Sequence, residues 1–395
     1  MLSPLHQMPH DSSSSIGSPD LLYPPAGTPA GPAWLPRPLV RLASLAADEM
    51  RAHAPYFSII ALYAVACVFA GQLSAGRVVV EISIVADTLL LLVSIAGTAL
   101  FLLLTLRTAF VVRPPDGALL PALIEVYRAE LFDPRHLVRL AVALLPMSVF
   151  MTTFSSFKRM IPFIHPFSWD STFMEWDRWL HFGHQPWELL QPMLGFPLLT
   201  SLVNHIYHLW LFVLFLTLIW QSWTRRDDIL RTQYQAGFLL VWMMLGTVLA
   251  TTPSSGGPCY YGRLTGGVDP FAPLMAYLNA ANQLHPVLAL EVQETLWQSY
   301  LDPGGEIGRG ISAMPSMHVA TSVLMALMGW RVGRCVGLAY TVFAAVIVLG
   351  SVHLGWHYAI DGYVSIVAVL AIWWGAGRFA RWWHAALDAE QRARA

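Results

Sequence analysis

Two histidines and one aspartate carry the plainest chemistry in this chain. His357 and Asp361 lie four apart in the stretch GSVHLGWHYAIDGY, residues 350–363. If a helix begins near Trp356, that spacing puts both on one face, within hydrogen-bonding reach. A carboxylate bonded to one imidazole nitrogen fixes the tautomer and aims the other nitrogen outward as a base or nucleophile. His318 lies in a second stretch, ISAMPSMHVA, residues 311–320. Pro315 suits the first turn of a helix, where its missing N–H costs nothing. Free backbone N–H groups at such a start, together with the helix dipole, bind an anion such as phosphate. The Ser316 hydroxyl and the His318 imidazole share that turn. Two helix starts, each carrying a histidine, form a candidate phosphoryl-transfer site. One histidine would act as nucleophile, the other as acid and base.

The elements that position these groups are membrane helices. Of 395 residues 56% are hydrophobic and only 12% are charged. A soluble domain carries about twice that charge. A net charge of −1 argues against nucleic acid as a partner. Cys67 and two further cysteines, Cys259 and Cys335, imply no disulfide framework. Spans of about 20 apolar residues are read at 56–75, 84–106, 137–154, 198–221, 235–252, 315–330, 336–353 and 358–377. Lipid leaves helices as the only reading of such runs, so the fold class is an all-α polytopic transmembrane bundle of about eight spans. Residues 1–50, rich in Pro, Ser and Gly, read as a disordered tail. Residues 51–136 hold two extra helices and a loop, 137–380 the embedded core, and 381–395 a second tail.

Basic residues set the orientation. With the N-terminus in the cytoplasm, Arg77, Lys158, Arg159, Arg178, Arg263 and Arg309 fall outside, and the other 17 of the 23 Lys and Arg residues fall inside. Both termini are then cytoplasmic. His318, His357 and Asp361 all reach the outer face, a convergence independent of the charge count that fixed the orientation. His205, His208 and His353 lie near the same face and are candidates, with Tyr260, to line a substrate cleft. Two outer segments are long, 155–197 and 253–314. The first carries Trp169, Trp176, Trp179 and Trp187, which suit the headgroup interface. Asp170 and Asp177 in that segment read as solvated caps of an interfacial helix. Asp87 lies inside the second span without an evident role.

The sequence PSMH, followed 39 residues later by the second histidine of GSVHLGWHYAID, resembles two signature motifs of the type-2 phosphatidic acid phosphatase superfamily, P-S-x-H and S-R-x5-H-x3-D. The resemblance spans the last six helices and implies a six-helix catalytic core. It further implies that His357 attacks phosphorus, that Asp361 orients it, and that His318 protonates the leaving oxygen. His318 would then activate water or an acceptor hydroxyl. No metal and no cofactor are implied. The motif's Ser-Arg is replaced by Gly350 and Ser351. A first motif, K-x6-R-P, is matched only by KRMIPFIHP at 158–166, with His165 in place of Arg. Topology favours Arg263 and Arg309 over Lys158 as phosphate ligands beside Ser316. The Trp-rich outer segment and the H-Y-x-x-D form look most similar to the branch around inositol phosphorylceramide synthase.

The expected function is therefore an integral membrane lipid phosphotransferase of the inner or plasma membrane. It would take a lipid phosphate substrate and an alcohol acceptor through a phosphohistidine, with its site on the outer face. A lipid phosphate phosphatase with water as acceptor competes with it. A transporter or scramblase of lipids is the alternative from another class. That reading calls for ionisable groups along a whole path through the bilayer, and the last three spans hold almost none beyond their outer ends.

Overall fold

Backbone groups in lipid must be satisfied within their own segment, and among the described residues every regular element is helical. The computed structural model describes residues 36–73, 83–115, 118–224, 227–301 and 310–394. In chain order the helices are α1 (Arg37–Ala52), α2 (Ala54–Leu73), α3 (Ser83–Leu106), α4 (Leu119–Glu130), α5 (Pro134–Ile164), α6 (Asp170–Leu180), α7 (Pro186–Leu194) and α8 (Pro197–His208). There follow α9 (Trp210–Trp223), α10 (Asp228–Leu240), α11 (Tyr261–Thr265), α12 (Ala272–Asn282), α13 (Leu288–Leu301), α14 (Met317–Val332), α15 (Arg334–His353) and α16 (Ala359–Arg394). π-Helical turns extend α3 over Arg107–Val112 and α10 over Val241–Leu249.

Six stretches are long and apolar enough to cross a membrane: Ala54–Gly71, Val93–Val112, Pro134–Ile164, Pro197–Trp223, Arg334–His353 and Ala359–Ala393. The other two expected spans are helices packed among these six. One is α10 with its π-helical extension. It buries Arg231, which pairs with Asp228 of the same helix at 2.7 Å, and Gln233, whose amide donates to the Trp373 carbonyl of α16 at 3.0 Å. The other is α14, whose 16 residues reach roughly 24 Å at 1.5 Å per residue. It pairs with α15 through a tight turn at Gly333, and Gly329 and Gly337 let the two backbones approach.

The core lies where α5, α9, α10, α14 and α16 meet, with Phe150, Leu214, Tyr234, Phe238, Met325 and Val369 sealed from solvent. Helices α2 and α3 pack on the outside of α5 and are the least enclosed of the six apolar stretches. Two expectations differ at the ends. The tail expected over 1–50 gives way at Arg37 to α1, an amphipathic helix with a proline in its first turn. It docks on α5, where Glu49 receives Arg139 at 2.9 Å. The second tail is also helical, because α16 continues without a break to Arg394. Of the 1–50 segment, residues 1–35 lie outside the described residues.

Candidate active site

The two histidine motifs converge at one end of the bundle because each marks a helix start. Ser316 is the N-cap of α14, its hydroxyl accepting the Val319 N–H at 3.4 Å. The Ser316 N–H donates to the Asp361 carbonyl at 3.4 Å. The Ser365 hydroxyl reaches both the Ser316 carbonyl at 3.0 Å and the Asp361 carbonyl at 2.7 Å. These bonds lock the starts of α14 and α16 side by side. No described hydrogen bond takes up the N–H of Met317 or His318, so the first turn of α14 keeps open donors.

His357 sits in the turn between α15 and α16, only 6% exposed. Its Nδ1 lies 2.9 Å from the Ala313 carbonyl and 3.3 Å from Asp361 Oδ2. Both neighbours are acceptors, so Nδ1 carries the proton and Nε2 keeps its lone pair. Asp361 Oδ2 also receives the Tyr358 N–H at 3.0 Å. Burial, with Lys158 adding to it and the Ala313 bond opposing it, pulls the His357 imidazole down to about 3. The ring is therefore neutral, the form a nucleophile needs.

His318 faces it, with ring centroids 6.0 Å apart and planes at 62°. Its own ring is held by two aromatics one turn apart on the α8–α9 boundary. Tyr207 stacks at 4.5 Å and Trp210 approaches to 4.0 Å. The Trp210 indole is itself fixed by a 2.7 Å bond to the Thr321 hydroxyl. Neither ring nitrogen of His318 has a partner among the described residues, so both are available for proton transfer.

The basic residues fall differently from the expected preference. Arg263 is half-exposed, bonded to Glu294 at 2.7 Å and lying 5.2 Å over the Trp297 ring. None of its described contacts reaches either imidazole. Arg309 lies outside the described residues. Lys158, the runner-up, lies near the C-terminal end of α5 and within electrostatic reach of both His318 and His357. It has no ion-pair partner among the described residues. The chain passes its backbone at Gly310, where a Cβ would meet the Lys158 carbonyl at 2.9 Å, so only glycine fits. The charge count already put Lys158 on the outer face; the 31-residue length of α5 carries it to the segment at Gly310 that leads into α14.

The weaker candidates separate. His208 bonds the Asn204 carbonyl at 2.8 Å and stays within electrostatic reach of His318. His205 is exposed and bonds back to the Ser201 carbonyl at 2.7 Å. His353 is buried against the Thr200 hydroxyl at 2.9 Å, and none of its described contacts reaches the two imidazoles. The Tyr260 hydroxyl donates to the Gln293 carbonyl at 2.8 Å and its ring stacks on Trp297, a packing role among the end helices. His165 ends α5, with Nδ1 enclosed and unbonded. The side chain of Asp87, on α3, lies outside the described residues.

Asp170 and Asp177 correct the sequence reading outright. Both are buried rather than solvated. Asp170 receives the N–H groups of Gly256 at 3.0 Å and Gly257 at 2.8 Å, and the Tyr358 hydroxyl at 2.9 Å. Asp177 receives Ala359 N–H at 2.6 Å and Ile360 N–H at 2.9 Å. The start of α16, expected to offer donors to phosphate, is thus already occupied by a carboxylate. The only signal in the sequence is a pair of acids seven apart inside an aromatic-rich segment. Gly257 has φ +104° and a Cβ there would meet the Trp356 carbonyl at 2.7 Å, so this loop too requires glycine.

A family model described as the PAP2 superfamily matches residues 171–375. No curated protein and no solved structure matches the chain.

Proposed function

The chain belongs to the PAP2 superfamily, and from that premise we propose that it is a lipid phosphotransferase acting through a phosphohistidine. The observation that carries this reading is the pair of opposed imidazoles, one with its tautomer set by the Ala313 carbonyl and Asp361. His357 Nε2 attacks the phosphorus of a lipid phosphate ester, forming the N–P bond as the P–O bond to the leaving group breaks. His318 gives its proton to the leaving oxygen. It then takes a proton from an acceptor hydroxyl, which attacks phosphorus and frees His357. Lys158, Ser316 and the open N–H groups of α14 supply the positive surroundings for the equatorial oxygens. The bundle of apolar helices supports action within a membrane, and the skew of basic residues supports cytoplasmic termini with the site on the outer face.

The acceptor is an alcohol, on the likeness of the H-Y-x-x-D motif and the Trp-rich segment to the inositol phosphorylceramide synthase branch. Purified full-length chain, given a phosphorylated lipid with and without inositol, tests this. Formation of inositol phosphate together with the dephosphorylated lipid supports transfer. Release of inorganic phosphate at the same rate in both arms assigns water as the acceptor and makes the protein a lipid phosphatase.

A further inference from the structure

Helix α6 faces two ways. Its two aspartates, seven residues apart, lie two turns along one face. They are 3% and 1% exposed. Trp176 and Trp179 on the other side are 45% and 80% exposed. The buried face grips three consecutive residues: Tyr358 through its hydroxyl on Asp170, then Ala359 and Ile360 through their N–H groups on Asp177. These three follow His357 directly in the chain. Asp170 also grips Gly256 and Gly257. The residue before them, Ser255, accepts the Ala313 N–H at 2.9 Å and, through its hydroxyl, the Met314 N–H at 3.2 Å. Ala313 is the residue whose carbonyl orients His357 Nδ1.

Burying a carboxylate is costly unless its bonds repay it. Here two are buried on one short helix, and every described side-chain bond they make to another segment ends either on the three residues after His357 or on the loop whose Ser255 holds Ala313. Asp177 also fills the helix start beside the nucleophile, a site that would otherwise attract an anion. The substrate phosphate is thereby left to the start of α14.

We propose that Asp170 and Asp177 are positioning residues for His357: they clamp the first turn of α16 and the 254–257 loop so that Nε2 points at phosphorus, and they keep phosphate off the α16 helix start. This rests on His357 being the nucleophile. Misplacing a nucleophile by about 1 Å costs on the order of a hundredfold in rate. A purely structural pair would alter stability without a selective loss of turnover.

The test uses the full-length chain in lipid nanodiscs, with Asp177→Asn, Asp170→Asn, Asp177→Ala and His357→Ala made in parallel. In the two Asn variants kcat should fall about tenfold or more while KM stays within about threefold. Amide hydrogen exchange should quicken over 356–362 and stay unchanged over 336–348. Turnover within about twofold of the parent in both Asn variants, with His357→Ala inactive, overturns the positioning role. Full activity in His357→Ala instead overturns the assignment of the nucleophile. If Asp177→Ala fails to fold, Asp177→Asn carries the test, because its amide oxygen keeps one backbone bond. Exchange that quickens equally across the whole chain in Asp177→Asn contradicts the proposal.

Discussion

Replacing Asp361 with asparagine separates two jobs that a carboxylate beside a nucleophilic histidine can do. It can hold the tautomer, and it can answer the positive charge that grows on the ring. Here the Ala313 carbonyl, at 2.9 Å, is the closer acceptor for His357 Nδ1, and Asp361 is at 3.3 Å. Asp361→Asn keeps the volume, and the amide oxygen can still accept the Tyr358 N–H. The carbonyl then holds the tautomer alone. What is lost is the charge. Two unit charges about 4 Å apart interact by about 4 kcal/mol at an effective dielectric near 20. With roughly half a charge developed in the transition state, the loss is about 2 kcal/mol, or about thirtyfold in rate. Single-turnover decay of a labelled lipid phosphate on excess enzyme measures it without interference from product release. A loss of more than about a thousandfold would refute the reasoning, because Asp361 alone would then be holding the ring. A loss under about threefold would refute it from the other side.

Lys158→Ala should raise KM about ten- to hundredfold, the value of a hydrogen bond to a charged group, with Lys158→Arg recovering much of it. Arg263→Ala, whose partners are Glu294 and Trp297, should leave kcat/KM within about twofold; the reverse pattern in initial-rate assays would restore Arg263 as the phosphate ligand. Burial pushes the Asp177 carboxyl up to about 7, against the pull of the Ala359 and Ile360 N–H groups and with Asp361 reinforcing the rise and His181 opposing it. A carboxyl raised on folding stabilises the protein below its unfolded value, and that contribution is lost as pH rises through about 7. Its ionised form is the better acceptor for the α16 N–H groups, so the positioning it provides strengthens over the same range. Thermal midpoint should therefore fall, and kcat rise, as pH passes through about 7, and Asp177→Asn should flatten both; slopes that persist in the variant would assign them to another group.

The residues proposed here as catalytic stand out in the sequence because their motifs are local. Pro315 and Ser316 announce a helix start, and His357 with Asp361 announces another. The requirement that both starts end at the same membrane surface brings His318 to His357. Apolar runs gave the helices for the same reason: in lipid no other backbone solution exists. Pairings that depend on tertiary packing were not legible. Lys158 reads as a phosphate ligand second to Arg263 and Arg309 until its place beside the two imidazoles is seen. Nothing in the spacing of Tyr207 and Trp210 announces that their rings pack on His318. Asp170 and Asp177 read as exposed caps because a short polar-aromatic helix is normally solvated. Their burial depends on a second layer of helices folding over the end of the bundle, which no hydropathy pattern reports. The helical character of Arg37–Ala52 was masked by the Pro-rich run before it.

The central claim is a covalent phosphohistidine on His357 that His318 helps to make and to resolve. Rapid quenching of the full-length protein with phosphorus-labelled lipid, followed by mapping of acid-labile, base-stable label to peptides, tests it directly. In His318→Ala, label should accumulate on the peptide containing His357, because the group that activates the acceptor is missing. In His357→Ala no label should form. Label that is absent from both variants while turnover continues, or that maps to a peptide without His357, would contradict the account.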